Sequence, residues 1–207
     1  MLNTNDKQKI NSYIDNLVRK TKADIKKSLN TGLTRQQAID KVINITVNKF
    51  TPESKMLLSS VYNMMMEHTL NEPLFLDAKN KAAFYEMNLL KELNEKFNFD
   101  IPKNINYEQS SLEIKKLINA GVVVVGVGGA ISFMFESWIP IGIGVAGLIA
   151  GIMATLLDED KNIGKGSIDA LVDSYLDSVK KSILLWIDSV EKYYYERVSD
   201  LKGKLVN

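Results

Sequence analysis

A chain of 207 residues with 45% hydrophobic and 25% charged side chains has room for one domain, or one domain with an appendage, and is too apolar to be disordered. The absence of cysteine excludes a disulfide framework, a thiolate metal site and a thiol nucleophile. The formal net charge of +1 hides an asymmetry: residues 1–50 hold 10 Lys/Arg against 4 Asp, and the remainder carries 16 Lys/Arg against 21 Asp/Glu.

A basic amphipathic N-terminus fits attraction to anionic lipid, and a solvated helix face in a bundle accounts for the same pattern. The opening MLNTNDKQKI is polar and lacks an apolar core segment, so no secretory signal peptide is expected. From Asp6 to Leu29, the positions Ile10, Tyr13, Ile14, Leu17, Val18, Ile25 and Leu29 recur at three- and four-residue spacing, which predicts one amphipathic helix. Asn30-Thr31-Gly32 breaks it. Thr34 with Gln37 has the pattern of a capping box and opens a helix buried through Ala38, Ile39, Val42, Ile43 and Phe50. The β-branched run Ile43–Val47 leaves a strand open there.

Thr51-Pro52-Glu53 reads as a fresh helix start, with Pro at the first helical position. The helix that follows carries Met56, Leu57, Val61, Tyr62 and Met64-Met65-Met66, three methionines that cannot all face one way. Asn71-Glu72-Pro73 ends it. A further helix is predicted from about Leu76 to Phe97, through Ala82, Ala83, Tyr85, Leu89, Leu90, Leu93 and Phe97. Residues 98–110, with Pro102 and three Asn, read as a linker between an amphipathic region (1–97) and a hydrophobic hairpin (111–160).

The hairpin is the dominant feature. Leu117–Leu157 holds one charged residue, Glu136, in 41 positions. A membrane-crossing helix needs about 20 apolar residues, and Leu117–Phe135 and Trp138–Leu157 each supply about that many. Glu136, Trp138 and Pro140 provide the turn, as a polar break, an interfacial aromatic and a helix-start residue. Close packing of helices in lipid depends on small residues. Gly121, Gly126, Gly128 and Gly129 lie on the first arm, and Gly142, Gly144, Gly147 and Gly151 on the second, the last two forming GxxxG. The flanks are Lys115 and Lys116 before the arms, with Asp158, Glu159 and Asp160 after them. Lys161 and Lys165 also follow the second arm, and the turn has no Lys or Arg. By the positive-inside rule both termini are therefore expected to be cytoplasmic, or on the side from which the hairpin inserts. A buried hairpin in a soluble bundle is the competing expectation.

Gly164-Lys165-Gly166 reads as a turn, and Ser167 to about Leu205 as a long helix in the final region, 161–207. Its apolar positions Val172, Leu176, Val179, Ile183, Trp186, Val190 and Tyr193 alternate four and three, close to a heptad seam. Trp186, Tyr193, Tyr194 and Tyr195 fit either a membrane interface or bundle packing.

The glycine-rich arms, the short turn and the acidic exit LLDEDKN make residues 111–162 resemble the hydrophobic hairpin of colicin-type pore-forming domains. The resemblance implies amphipathic helices that wrap the hairpin in solution and open on a membrane, leading to a voltage-dependent channel. Those domains end soon after the hairpin, whereas this chain adds about 40 helical residues. Helical toxins with long-helix bundles and a hydrophobic head hairpin are similar in that respect, as is the membrane paddle of bacterial dynamin-like proteins. The phosphate loop GxxxxGK[ST] is absent from the sequence, and Gly164-Lys165-Gly166-Ser167 is no substitute.

The sequence therefore predicts an all-α bundle around a membrane hairpin that permeabilises a bilayer after homo-oligomerisation. The alternatives are a constitutive two-span membrane protein whose cytoplasmic helices bind a protein partner, and a soluble helical scaffold with a buried hairpin. Its expected location is a cytoplasmic membrane, or solution before insertion. No catalytic residue, cofactor or metal is expected: His68 is the only histidine, with no Asp or Cys pattern beside it, and Asp158–Asp160 lacks the spaced ligands of an EF-hand. The basic first 50 residues contain no nucleic-acid reading motif.

Overall fold

The computed structural model describes residues 1–29, 33, 35–97, 99 and 165–206. These residues are all-α, without a strand among them. The helices are α1 (Thr4–Ser28), α2 (Arg35–Leu70), α3 (Ala78–Glu86), α4 (Leu89–Lys96) and α5 (Lys165–Val206), with a 3-10 turn at Pro73–Leu76.

The chain packs as two compact units. The first comprises Met1–Tyr13, Glu53–Asn98 and Leu184–Asn207, and the second Ile14–Pro52 and Phe99–Ile183. Each of α1, α2 and α5 contributes a segment to both.

α1 begins with a reciprocal cap. Asn3 Oδ1 accepts the Asp6 N–H at 2.9 Å, while Asp6 Oδ2 accepts the Asn3 N–H at 3.2 Å. Two of the N–H groups that a helix start leaves without partners are thereby satisfied. The expected stripe holds at Ile10, Ile14, Leu17 and Ile25, all buried, but it also takes in Asp6 and Thr21. Thr21 Oγ1 donates to the Leu17 carbonyl at 2.9 Å, so its hydroxyl is buried without loss of a partner. Thr46 and Thr69 use the same i−4 device on α2.

Thr51-Pro52-Glu53 is not a helix start. α2 runs unbroken for 36 residues with Pro52 inside it. Proline has no N–H to offer the Asn48 carbonyl and costs about 3 kcal/mol in a helix interior. Buried apolar residues on both sides outweigh this: Ile43, Val47 and Phe50 in the second unit, and Leu57, Leu58, Val61 and Met65 in the first. The Ile43–Val47 run is helical, which removes the strand alternative. Of the three methionines, Met65 is buried and Met64 and Met66 are half-buried.

The single helix expected over 76–97 is two. Asn88 adopts the left-handed conformation (φ 48°, ψ 43°) and separates α3 from α4. Asn tolerates this region better than most residues, because its short polar side chain bonds locally. The break re-phases the faces, so Phe84 is buried while Tyr85 stays 53% exposed. α3 is capped by Asp77, whose side chain accepts from the N–H groups of Lys79 and Asn80.

α5 starts at Lys165, so Lys165 and Gly166 lie in its first turn and do not form a separate turn. It runs for 42 residues, with Lys165–Ile183 in the second unit and the remainder in the first. The seam holds through Val172, Leu176, Val179, Ile183, Trp186 and Val190, and then passes to Tyr194 and Val198. Tyr193 is half-buried instead. Steps of four after Val190 replace the four–three alternation, which rotates the buried face by one position.

Candidate functional site

The hairpin glycines Gly121, Gly126, Gly128, Gly129, Gly142, Gly144, Gly147 and Gly151 lie outside the described residues. So do the turn residues Glu136, Trp138 and Pro140, and the flanks Lys115, Lys116, Asp158, Glu159 and Asp160. Among the described residues, no helix is long and apolar enough to cross a membrane.

The helices of the first unit hold a buried polar network. Asp6 is 7% exposed, and its Oδ2 lies 2.6 Å from His68 Nε2. Burial pushes the Asp6 carboxyl up, but hydrogen bonds from His68 and the Asn3 N–H, together with the charges of His68 and Lys9, hold it below its ordinary value. Glu191, 5% exposed, accepts the Leu2 N–H at 2.8 Å, with Lys7 Nζ at 3.8 Å. The Tyr195 phenol is pushed up to about 12, by burial first and then by the carboxylates of Glu191, Glu72 and Asp6. Together these contacts fasten residues 2–7 to α2 and α5.

An Asp–His pair can orient a general base toward a nucleophile. Within the described residues no Ser, Thr or Cys nucleophile is hydrogen-bonded to His68, whose other contact is Asn3 Nδ2 at 3.4 Å. No group of three metal-binding side chains occurs among them either. Beside the network lies an open groove of about 630 Å³. It is lined by Lys7 and Lys192 against Asp188, Glu191, Glu196 and Asp200, with Tyr195 at its wall. Sequence periodicity signalled one part of this: Asp6 stands at four-residue spacing with Leu2, Ile10 and Ile14, a carboxylate in register with the apolar stripe. Its partner is 62 positions away in sequence, beyond any local pattern.

Of the α5 aromatic residues, Trp186 and Tyr194 are buried, and Tyr193 and Tyr195 half-buried. Trp186 is 1% exposed, and its Nε1–H donates to the Phe97 carbonyl at 3.2 Å. Tyr194 is fully buried and donates to Thr69 Oγ1 at 3.0 Å. The Tyr193 hydroxyl bonds Glu92, and Lys96 Nζ lies 3.9 Å from the centre of its ring. These partners belong to α2 and α4 and to the chain just after α4. Burial raises Glu92, but Tyr193 and Arg197 outweigh it and hold the carboxyl below the usual range.

In the second unit, α1 is joined to its neighbours by charge. Lys180 pairs with Asp15, Lys22 with Asp173, and Lys49 with Asp24 at 3.0 Å. The Lys49 hydrogen bond and charge hold the Asp24 carboxyl down, with a further contribution from Lys27. Burial raises the Tyr175 phenol beyond the ordinary range, partly offset by Thr46. These groups fix helix positions and bring no reactive pair together.

Comparison with family models, with curated proteins and with solved structures returned no match to the chain.

Proposed function

We propose that this protein is membrane-active: it inserts the hairpin of residues 111–160 into a bilayer and permeabilises it after homo-oligomerisation. One observation carries the reading. The 41-residue stretch Leu117–Leu157 has a single charge, while no described helix is long and apolar enough to cross a membrane. Spanning capacity is therefore concentrated in one segment, and the described helices are built for a different task. Each of the long helices buries an apolar face, as at Ile14 and Ile25 of α1, Val47 and Met65 of α2, and Val179 and Trp186 of α5. Eight glycines in the hairpin fit arms that approach closely, within one chain or between chains. No catalytic step, cofactor or nucleic-acid partner is part of this proposal.

The experiment is dye release from phospholipid vesicles as a function of protein concentration. The expected result is release that rises steeply with concentration and is lost in Gly147→Leu, which widens the closest approach of the arms. Unchanged release in that variant refutes the packing part of the proposal. An absence of binding to vesicles refutes the proposal as a whole and leaves a hairpin buried in a soluble scaffold.

A second reading, a two-span anchor without a pore, is favoured by the surface of the described helices. Their large exposed apolar residues are scattered singly, as at Met56, Leu76, Tyr85 and Leu185. Such a bundle has no need to open. Tight vesicle binding without release selects this reading.

A further inference from the structure

Within the second unit, α1 carries Arg19, Lys20, Lys22, Lys26 and Lys27 against only Asp15 and Asp24. The structure engages both acids. Asp15 is held by Lys180 of α5, and Asp24 by Lys49 of α2. Lys22 is drawn to Asp173 of α5 in the same way. Every carboxylate that could neutralise this stretch of α1 from within is thus turned toward a neighbouring helix.

Arg19, Lys20 and Lys27 are left exposed, and none of them forms an ion pair among the described residues. Arg19 donates only to Asn16 of its own helix, at 2.8 Å. Lys27 adds an electrostatic attraction to Asp24, whose ion-pair partner is Lys49. At 3.6 residues per turn the three cations fall within an arc of roughly 100°, opposite the buried Ile14, Leu17, Thr21 and Ile25. The other side chains on that arc are small or polar, Asn16 and Ala23, and both are exposed.

We propose that this face of α1 is a docking surface for the anionic phospholipid headgroups of a bilayer, engaged through Arg19, Lys20 and Lys27. The inference rests on the membrane-active reading and deepens it by naming the lipid class and the residues that meet it. Charge complementarity selects the occupant. The arc offers positive charge without the aromatic rings that stack single-stranded bases or anchor a protein interface. A headgroup layer asks for charge alone. In sequence the apolar run ends at Leu157, eight positions before Lys165 opens α5, the helix that holds Lys22 through Asp173.

Vesicle flotation of the full chain tests this, using phosphatidylcholine alone and phosphatidylcholine mixed with phosphatidylglycerol. A basic residue near an anionic surface strengthens binding about fivefold, so the triple variant Arg19→Gln, Lys20→Gln, Lys27→Gln is expected to bind the mixed vesicles roughly a hundredfold more weakly. Its binding to the neutral vesicles is expected to stay at the wild-type level. Raising the salt concentration should weaken wild-type binding to the mixed vesicles toward that of the variant. Lys79→Gln with Lys81→Gln, two exposed cations of α3, serves as the control and should bind as wild type does. All five side chains are exposed, and circular dichroism checks that each variant is folded.

A triple variant that binds like wild type, or a control pair that loses as much, overturns the docking face. So does wild-type protein that binds both vesicle types equally well, a result that leaves the hairpin reading standing. Binding to soluble glycerophosphate as strong as to vesicles also overturns it, by reassigning the face to free phosphate. Wild-type protein that binds neither vesicle overturns the membrane reading itself.

Discussion

The Tyr194–Thr69 hydrogen bond decides between a bundle core and a membrane interface for the α5 aromatics, and it has an unequal pair of truncations. Tyr194 is 0% exposed and donates to Thr69 Oγ1 at 3.0 Å, and Thr69 Oγ1 donates onward to the Met65 carbonyl at 3.0 Å. The Tyr194 ring also meets Tyr62 edge-on at 6.0 Å. In Tyr194→Phe the ring contact stays and Thr69 keeps its own acceptor, so the loss is one net hydrogen bond, about 1 kcal/mol. In Thr69→Val the shape is kept, but the buried Tyr194 hydroxyl loses its acceptor, which costs about 2 kcal/mol. The double variant removes both polar groups and is expected to lose no more than about 1 kcal/mol, well short of the sum of the singles. Urea denaturation followed by far-UV circular dichroism reads all four proteins, provided the slope against denaturant is common to them. Additive losses, or a Thr69→Val variant as stable as wild type, would refute the buried bond and reopen the interfacial reading.

Two further outcomes follow from single features of the helices. Pro52 is exposed within α2 and deprives the Asn48 carbonyl of its helical donor, so Pro52→Ala is expected to raise stability by up to about 3 kcal/mol in the same assay. An unchanged midpoint would mean that the helix is already interrupted there. The pH dependence has two edges of opposite sign. The Asp6 and Glu92 carboxyls are held below their ordinary values of 3.8 and 4.5, so their contribution is complete above those values and is lost as pH falls through the lower folded values. Burial and neighbouring carboxylates push the Tyr13, Tyr193 and Tyr195 phenols from 10.0 to about 12, so their contribution is complete below pH 10 and is lost as pH rises toward about 12. Helicity and phenolate absorbance recorded along an alkaline titration should therefore change together. Phenols that ionise near pH 10 without loss of helix would contradict the assignment.

Much of the fold was legible because helix burial follows a local period. The α1 stripe at Ile10, Ile14, Leu17 and Ile25 and the α5 seam from Val172 to Val190 were readable from spacing alone. What escaped depended on contacts made far along the chain. Pro52 carries the local signature of a helix start, and only the packing of residues on both sides of it makes α2 continuous. Asn88 is one left-handed residue, and no periodic pattern announces it; yet it decides that Phe84 rather than Tyr85 is buried. The shift from Tyr193 to Tyr194 reflects the partners that α2 and α4 supply, Thr69 for one and Glu92 for the other. The Asp6–His68 contact joins residues 62 positions apart. The apolar run Leu117–Leu157, with its one charge, is a feature of composition, and the hairpin expected there lies outside the described residues.

The most direct test of membrane insertion uses the absence of cysteine from the chain. A single Ala146→Cys substitution carries an environment-sensitive fluorophore in the second hairpin arm, and Lys79→Cys carries the same probe on exposed α3. Lipid-attached quenchers at graded depths then report where each probe resides when vesicles are added. Insertion predicts a blue shift and deep quenching at residue 146, with an unshifted, unquenched probe at residue 79. A residue-146 probe that neither shifts nor is quenched on bound vesicles would contradict insertion of the hairpin and, with it, the proposed function.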